Sequence, residues 1–214
     1  MYLSRLILNP RSHQVHNEIA NSYEMHRTIM GAFPTPLPHN ERVLFRIEPG
    51  ERSDMPVVLV QSVYRPDWES VQQKTENCFV CMPQVRSLDG LNIKDGDWLR
   101  FRLRADPSKR VYYARREKSQ RISLFSEKDR REWMTRKAQE SGFSILSEVL
   151  SIRDAPYRTM FIPRDERTHK ATINMVDYEG VLRVEDAEKF LVGLRQGIGP
   201  AKGLGCGLLS LARL

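Results

Sequence analysis

Five glycines fall within eleven residues toward the C-terminal end of the chain: Gly197, Gly199, Gly203, Gly205 and Gly207. The segments on either side decide what such a run can be. Before it, Val184, Ala187, Phe190, Leu191 and Leu194 recur at helical spacing among charged residues. After it, Leu208-Leu-Ser-Leu-Ala212 reads as a short buried strand. The run is therefore a loop leading from a helix into a strand. Dinucleotide and P-loop fingerprints run in the opposite sense, from a strand through glycines into a helix, so the direction argues against a nucleotide cofactor. Two readings of the glycines stand. Consecutive amides in left-handed conformations form an anion-binding concavity, to which Lys202 adds a charge. Alternatively, Gly197 is a helix C-cap and the rest a tight connection.

The chain has 214 residues, enough for one domain or two of about 100 residues each. No apolar run approaches the roughly eighteen residues of a membrane span, and Leu6-Ile-Leu8 ends at Asn9-Pro10 without forming a signal-peptide core. The expectation is a soluble, cytoplasmic protein with no membrane partner. The cysteines are three, an odd number that argues against a disulfide framework. Cys78 and Cys81 have the spacing of half a zinc site, but a structural zinc needs four ligands. Two reduced thiols and no bound metal or cofactor is the expectation.

The element pattern is mixed. Residues 2–8 read as a strand, and Asn9-Pro10 as a cap and first helical residue. Residues 43–47 and 57–63 are strand-like runs on either side of a hairpin-type loop at 48–54, and Asp67 opens a short helix. Residues 99–104 alternate strictly, with Phe101 and Leu103 on one face and Arg100, Arg102 and Arg104 on the other. In the second half, residues 126–140 read as a helix capped by Ser126. Strands follow at 143–152 and 171–178, with Gly180 at a bulge or turn, and a helix at 185–196 leads into the glycines. The fold class expected is α+β, two tandem βαββαβ halves, residues 1–106 and 107–214, the first with the candidate catalytic helix and the second with the glycine-rich loop.

The net charge is +7, which favours an anionic partner. Residues 100–121 contain nine basic side chains, among them Lys109, Arg110, Arg115, Arg116 and Arg121, against Asp106 and Glu117. Nine minus two is the whole chain's excess. Arginines with Tyr112 and Tyr113 between them suit phosphate contacts and stacking; a solvated strand face is the bland alternative. A second basic stretch, Arg158, Arg164, Arg167, His169 and Lys170, reads as a loop between strands, with Arg153 and Asp154 pairing just before it. No arginine-rich helix is shaped for a DNA major groove, so RNA is the better fit.

RNA carries its own nucleophile, the 2′-hydroxyl. Cleavage needs a proton acceptor for it, a donor for the leaving oxygen and charge stabilisation on the phosphate. Tyr23 and His26, three apart on a helix, share a face. Histidine, with an ordinary pKa of about 6.5, suits either proton transfer. Tyr23 orients the nucleophile or the phosphate, and Arg27 supplies charge. Against this, Val15, Ile19, His26 and Ile29 lie along one stripe, which is equally the pattern of a histidine at a core edge, and His13 and His16 compete for the role. Asp95, Asp97 and Asp129 do not form the carboxylate cluster of a two-metal nuclease.

The glycine spacing, in the wording Gln196-Gly-Ile-Gly-Pro-Ala-Lys-Gly-Leu-Gly-Cys-Gly-Leu-Leu-Ser-Leu211, resembles the C-terminal motif of the endoribonucleases that cut CRISPR precursor RNA. It is most similar to the CasE branch of the type I-E system. The opening Met1-Tyr-Leu-Ser-Arg-Leu-Ile-Leu-Asn9 and the segment Leu99-Arg-Phe-Arg-Leu-Arg-Ala-Asp-Pro107 resemble the same branch, so the likeness touches the start, middle and end of the chain. The resemblance implies tandem ferredoxin-like (RRM-like) domains. It implies metal-independent cutting at the 3′ base of a repeat hairpin, a cyclic phosphate product that is retained, and membership of a surveillance complex with other protein subunits. It assigns catalysis to His26 and Tyr23. The charge pattern, for its part, puts the RNA contacts at Arg27, Arg100, Arg102, Arg104, Lys109, Arg110, Arg115, Arg116, Arg158 and Lys202. Some relatives have a lysine shortly after the histidine; here Gly31 and Ala32 follow Met30, and Arg27 is the candidate substitute. A non-catalytic RNA-holding subunit is the alternative reading.

Overall fold

The first sheet owes its shape to alternation: along β1 (Tyr2–Ile7) Ser4 and Leu6 point inward while Arg5 is exposed. A computed structural model describes residues 1–38, 41–48, 55–75, 77–113, 118–155, 158–164 and 167–214. β1 is flanked by β3 (Val57–Ser62) and β4 (Gln84–Ser87), and β2 (Leu44–Glu48) pairs with β3, giving the antiparallel order β2-β3-β1-β4. Leu6, Met25, Ile29, Phe45, Val58, Val60 and Trp68 fill the core beneath it. Each such side chain contributes about 1.5–3 kcal/mol on burial.

The helical stretch after β1 is two helices, α1 (His13–Ala20) and α2 (Ser22–Met30), rather than one. Asn21 breaks it: its extended backbone closes α1, and its side chain accepts from the Tyr23 amide to cap α2. Ser12, not Asn9, caps α1; Asn9 instead accepts from the Arg11 amide. Buried Glu18 ties the two helices together by accepting from Gln14 and from Thr28. α3 (Trp68–Lys74) is capped by Asp67 as expected.

The second sheet has the order β13-β5-β12-β8, with β9 also on β12. Its strands are β5 (Trp98–Ala105), β8 (Phe143–Ile145), β9 (Ser151–Asp154), β12 (Val176–Val184) and β13 (Leu209–Arg213). α4 (Glu127–Glu140), capped by Ser126, and α5 (Ala187–Gln196), capped by Asp186, pack Trp133, Met134, Phe190 and Leu194 onto it. Hairpin β6–β7 (Ser108–Tyr113, Lys118–Ser123) is inserted after β5, and hairpin β10–β11 (Arg158–Arg164, Arg167–Ile173) after β9. Without the insertions both sheets repeat one βαββαβ order, the ferredoxin-like arrangement twice over.

The boundary at 106 needs correction. β5 hydrogen-bonds to β12 and β13 along its length, so it opens the second unit rather than closing the first. The strand that closes the first is β4, four residues that are all exposed at the sheet edge and carry no alternating apolar signal. The second basic stretch is likewise a hairpin rather than a loop. The strand expected at 143–152 is β8 and β9 separated by a 3-10 turn (Ser147–Val149), because five residues there oppose only Gly180 and Val181 of continuous β12.

Candidate active site

α2 presents His26 toward β2 and the glycine-rich loop. The imidazole stacks on Phe45 at 6.2 Å between ring centroids, with 19° between the planes. Gly203 also lies against the ring: a Cβ on that residue would lie 3.6 Å from Nε2. Nδ1 is buried and finds no hydrogen-bond partner among the described residues. Burial holds the pKa of His26 below its ordinary value, so the ring stays neutral to a lower pH than a solvated histidine does. The competing reading of the apolar stripe, a core-edge histidine satisfied by hydrogen bonds, finds no support at Nδ1 among the described residues. Exposed His13 lies on α1, and exposed His16 bonds the Pro10 carbonyl. Tyr23 lies one turn before His26 on α2, half-buried.

The glycine-rich loop takes its shape from backbone that side chains rarely adopt: Gly197, Gly199, Gly205 and Gly207 have φ of 75°, 82°, 90° and 90°. Gly197 also meets the methyls of Leu44, where a Cβ would come within 2.8 Å. It is thus both the cap of α5 and a point of close approach. A 3-10 turn, Lys202–Leu204, forms the middle of the loop and packs against α2 and β2.

That turn also borders a cleft of about 770 Å³ between hairpin β6–β7, the end of α4, one face of α5 and the loop. Arg110, Arg121, Arg136, Lys137, Lys189 and Lys202 line it, against Glu140 and Glu188. Arg110 and Arg121 are cross-strand partners in the hairpin and form no ion pair among the described residues. Lys137 is paired with Glu140 at 2.5 Å and Lys189 with Asp186 at 2.9 Å. The pKa of Lys202 is lowered, by burial first and then by the charges of Arg42 and Lys137. A cationic cleft arranged in this way is suited to a polyanion.

Several expected RNA contacts fall elsewhere. Arg104 is 5% exposed. Its guanidinium holds both oxygens of Asp177, at 2.7 and 2.8 Å, and donates to the Ile47 carbonyl at 2.8 Å. Arg102 lies 3.0 Å from Glu48 and 3.1 Å from Glu179, although its Nε is not aligned for a hydrogen bond. Arg104 is buried and held by Asp177 of the neighbouring strand β12, so it is not free for a phosphate, while Arg102, with its side chain 35% exposed, is held between Glu48 of the first sheet and Glu179 of β12. Arg100 is exposed on the same strand, away from the basic cleft. Arg27 pairs with Glu24 at 2.9 Å and borders the crevice between α1 and α2, not the loop. Strand alternation puts exposed Lys109 on the hairpin face opposite Arg110. Arg158 belongs to β10, which runs beside α2, but its side chain, like Arg115 and Arg116, lies outside the described residues. Arg153 pairs with Glu179, and Asp154 with Arg130 at 2.7 Å, rather than with each other.

Phe45 and the helical cations Arg136, Lys137 and Lys189 are the members that reading the sequence missed. Phe45 sits in an apolar strand that looks like core. The helical cations alternate with acids, as any solvated helix does. Buried Cys78 and Cys206 and exposed Cys81 form no disulfide. Among the described residues no three His, Cys, Asp or Glu side chains are grouped to hold a metal, and no helix is long and apolar enough to cross a membrane.

Residues 1–213 match the sequence profile of a family described as CRISPR associated protein. The chain is 36% identical over 219 aligned residues to the CRISPR-associated endoribonuclease Cse3 of Thermus thermophilus, covering 99% of this chain and 100% of the relative. It is 28% identical to the CRISPR system Cascade subunit CasE of Escherichia coli, over 100% of both chains. A solved structure of the CRISPR endoribonuclease Cse3 bound to a 19-nucleotide RNA superposes with a TM-score of 0.81 at 36% identity, covering 99% of this chain and 100% of that one.

Proposed function

The chain belongs to the CRISPR-associated protein family, in its CasE-type endoribonuclease branch, and from that premise we propose that it cuts CRISPR repeat RNA with His26 as the proton-transfer group. One observation carries the assignment to this site. Consecutive residues of a single turn serve two places: Lys202 lines the basic cleft and Gly203 covers the His26 imidazole. A phosphate backbone held in the cleft is thereby led to the ring.

The chemistry follows from a ring kept neutral by burial. His26 takes the proton from the 2′-hydroxyl as its oxygen bonds to the adjacent phosphorus. The bond from phosphorus to the 5′-oxygen breaks, leaving a 2′,3′-cyclic phosphate and a 5′-hydroxyl once that oxygen has gained a proton. Each positioned proton transfer contributes on the order of 10²–10⁴ in rate. Tyr23, on the same helix face, orients the nucleophile or the phosphate. Arg110, Arg121 and Lys202 hold the duplex stem by its phosphates, as the shape-based recognition of A-form RNA requires. The cut lies at the 3′ base of the repeat hairpin. The product stays bound, and the protein serves as a subunit of the interference complex, as the Cascade relative's name states for that protein.

The test is a labelled repeat hairpin in excess EDTA, beside a copy with a 2′-deoxy sugar at the cut site. Cleavage of the first and binding alone of the second is the expected result. His26→Ala is expected to abolish cleavage and keep hairpin affinity within a few-fold. Full cleavage by that variant removes His26 from the mechanism, and binding of both RNAs without cleavage makes the protein an RNA-holding subunit.

A further inference from the structure

Three consecutive residues of β2 touch the glycine-rich loop or the strand that leaves it, Phe45 from one face of β2 and Leu44 and Arg46 from the other. Leu44 packs against Gly197, and Phe45, which supports His26, also lies 3.4 Å from where a Cβ of Gly205 would sit. Arg46 reaches further. Its side chain is 2% exposed, yet each of its three nitrogens has a partner. One terminal nitrogen donates to the carbonyls of Leu208 at 3.0 Å and Arg102 at 3.1 Å, and the other to the Ser210 hydroxyl at 2.7 Å. Nε donates to Glu48 at 2.5 Å. Leu208 directly follows Gly207, so the guanidinium grips the exit of the loop.

Gluing two sheets together does not require an arginine. Apolar side chains of similar volume hold such a contact as well or better, because a buried charge carries a heavy desolvation cost. A planar fork with fixed donor directions offers something an apolar side chain lacks, a set register between the strand and whatever it grips. Here the gripped residues anchor the exit of the loop that carries Gly203, and the strand carries the ring support for His26. We infer that Arg46 is a positioning residue for RNA cleavage, setting the height of the glycine-rich loop over the His26 imidazole through Leu208 and Ser210. The inference rests on His26 being the proton-transfer group.

The experiment uses the full chain and compares Arg46→Lys, Ser210→Ala and His26→Ala in single-turnover cleavage of the repeat hairpin. Affinity is read on the 2′-deoxy hairpin and folding by thermal melting. A displacement of the order of 1 Å at a site costs about 10²-fold in rate. Arg46→Lys is expected to lose about that factor, and Ser210→Ala, which removes one acceptor, about tenfold, with affinity within about twofold. Partial unfolding lowers the amplitude of the reaction, whereas a displaced site lowers its rate constant, so the two causes separate. If Arg46→Lys does not fold, Ser210→Ala decides. Wild-type rate constants in the folded variants, or rate and affinity falling in parallel, overturn the inference. Cleavage by His26→Ala overturns the assignment of His26, and this inference with it. Loss of cleavage in His26→Ala with full rates in the other two overturns this inference alone.

Discussion

β5 and hairpin β6–β7 are neighbours in the chain and draw on the same residue type, yet their arginines do different work. Arg102 and Arg104 turn toward the first sheet and meet Glu48, Asp177 and Glu179. Arg110 and Arg121 stand across from each other on a hairpin over an open cleft. The first pair is ion-paired within the protein and joins two sheets through Glu48 and the Ile47 carbonyl. The second keeps its charge for a partner. A run of basic residues is therefore not one surface, and the strand with the strictest alternation of arginines contributes least to the cleft.

The largest effect expected from breaking this contrast is on stability. Arg104→Leu leaves buried Asp177 with Arg102 alone, 3.9 Å away, and losing the hydrogen-bonded partner of such a pair costs up to about 3–5 kcal/mol. Urea unfolding measures it, and a loss under about 1 kcal/mol would show that Arg104 is not part of the lock. The salt dependence of RNA binding by the folded fraction should not change. Arg110→Ala with Arg121→Ala is the reciprocal experiment. The slope of log affinity against log salt should fall by roughly two, one per phosphate contact, with stability within about 0.5 kcal/mol. An unchanged slope would place the RNA elsewhere.

Acidity sharpens the same contrast between buried and open groups. Burial disfavours the charged imidazolium, so the His26 midpoint lies below the ordinary value of about 6.5. With His26 as base, the single-turnover rate rises with pH through that low midpoint and is flat above it. A rate that falls with rising pH through the same midpoint would assign His26 the acid role instead. The smallest effect belongs to Gly203→Ala. The new methyl would meet the imidazole at ordinary contact distance, 3.6 to 3.9 Å. Melting should stay unchanged and cleavage slow by roughly three- to tenfold, since the methyl crowds the approach to the ring. A full rate would mean that RNA reaches His26 from another side.

Much of the fold was legible where the signal is local. The β1, β2 and β3 runs, the Asp67 and Ser126 caps, α5 and the direction of the glycine-rich loop all match the pattern of apolar spacing and capping. Tyr23 and His26 could be placed on one helix face for the same reason. The break at Asn21 was missed because the apolar stripe continues in phase across it. β4 was missed because an exposed edge strand needs no apolar face, and with it went the boundary between the two units.

By itself the sequence determined the apolar strands β1 to β3, the capped helices α3 to α5, that the glycines join α5 to a strand, and that an anionic partner is favoured, because periodicity, caps and net charge depend on near neighbours. Only the tertiary structure decided which charges are free. Arg104 meets Asp177 across 73 positions, and Arg46 meets Leu208 across 162. The first joins neighbouring strands of one sheet and the second joins the two sheets, so neither exists until the strands have paired and the sheets have packed. The same packing carries Gly203 to His26 and turns a loop and a lone histidine into a candidate site.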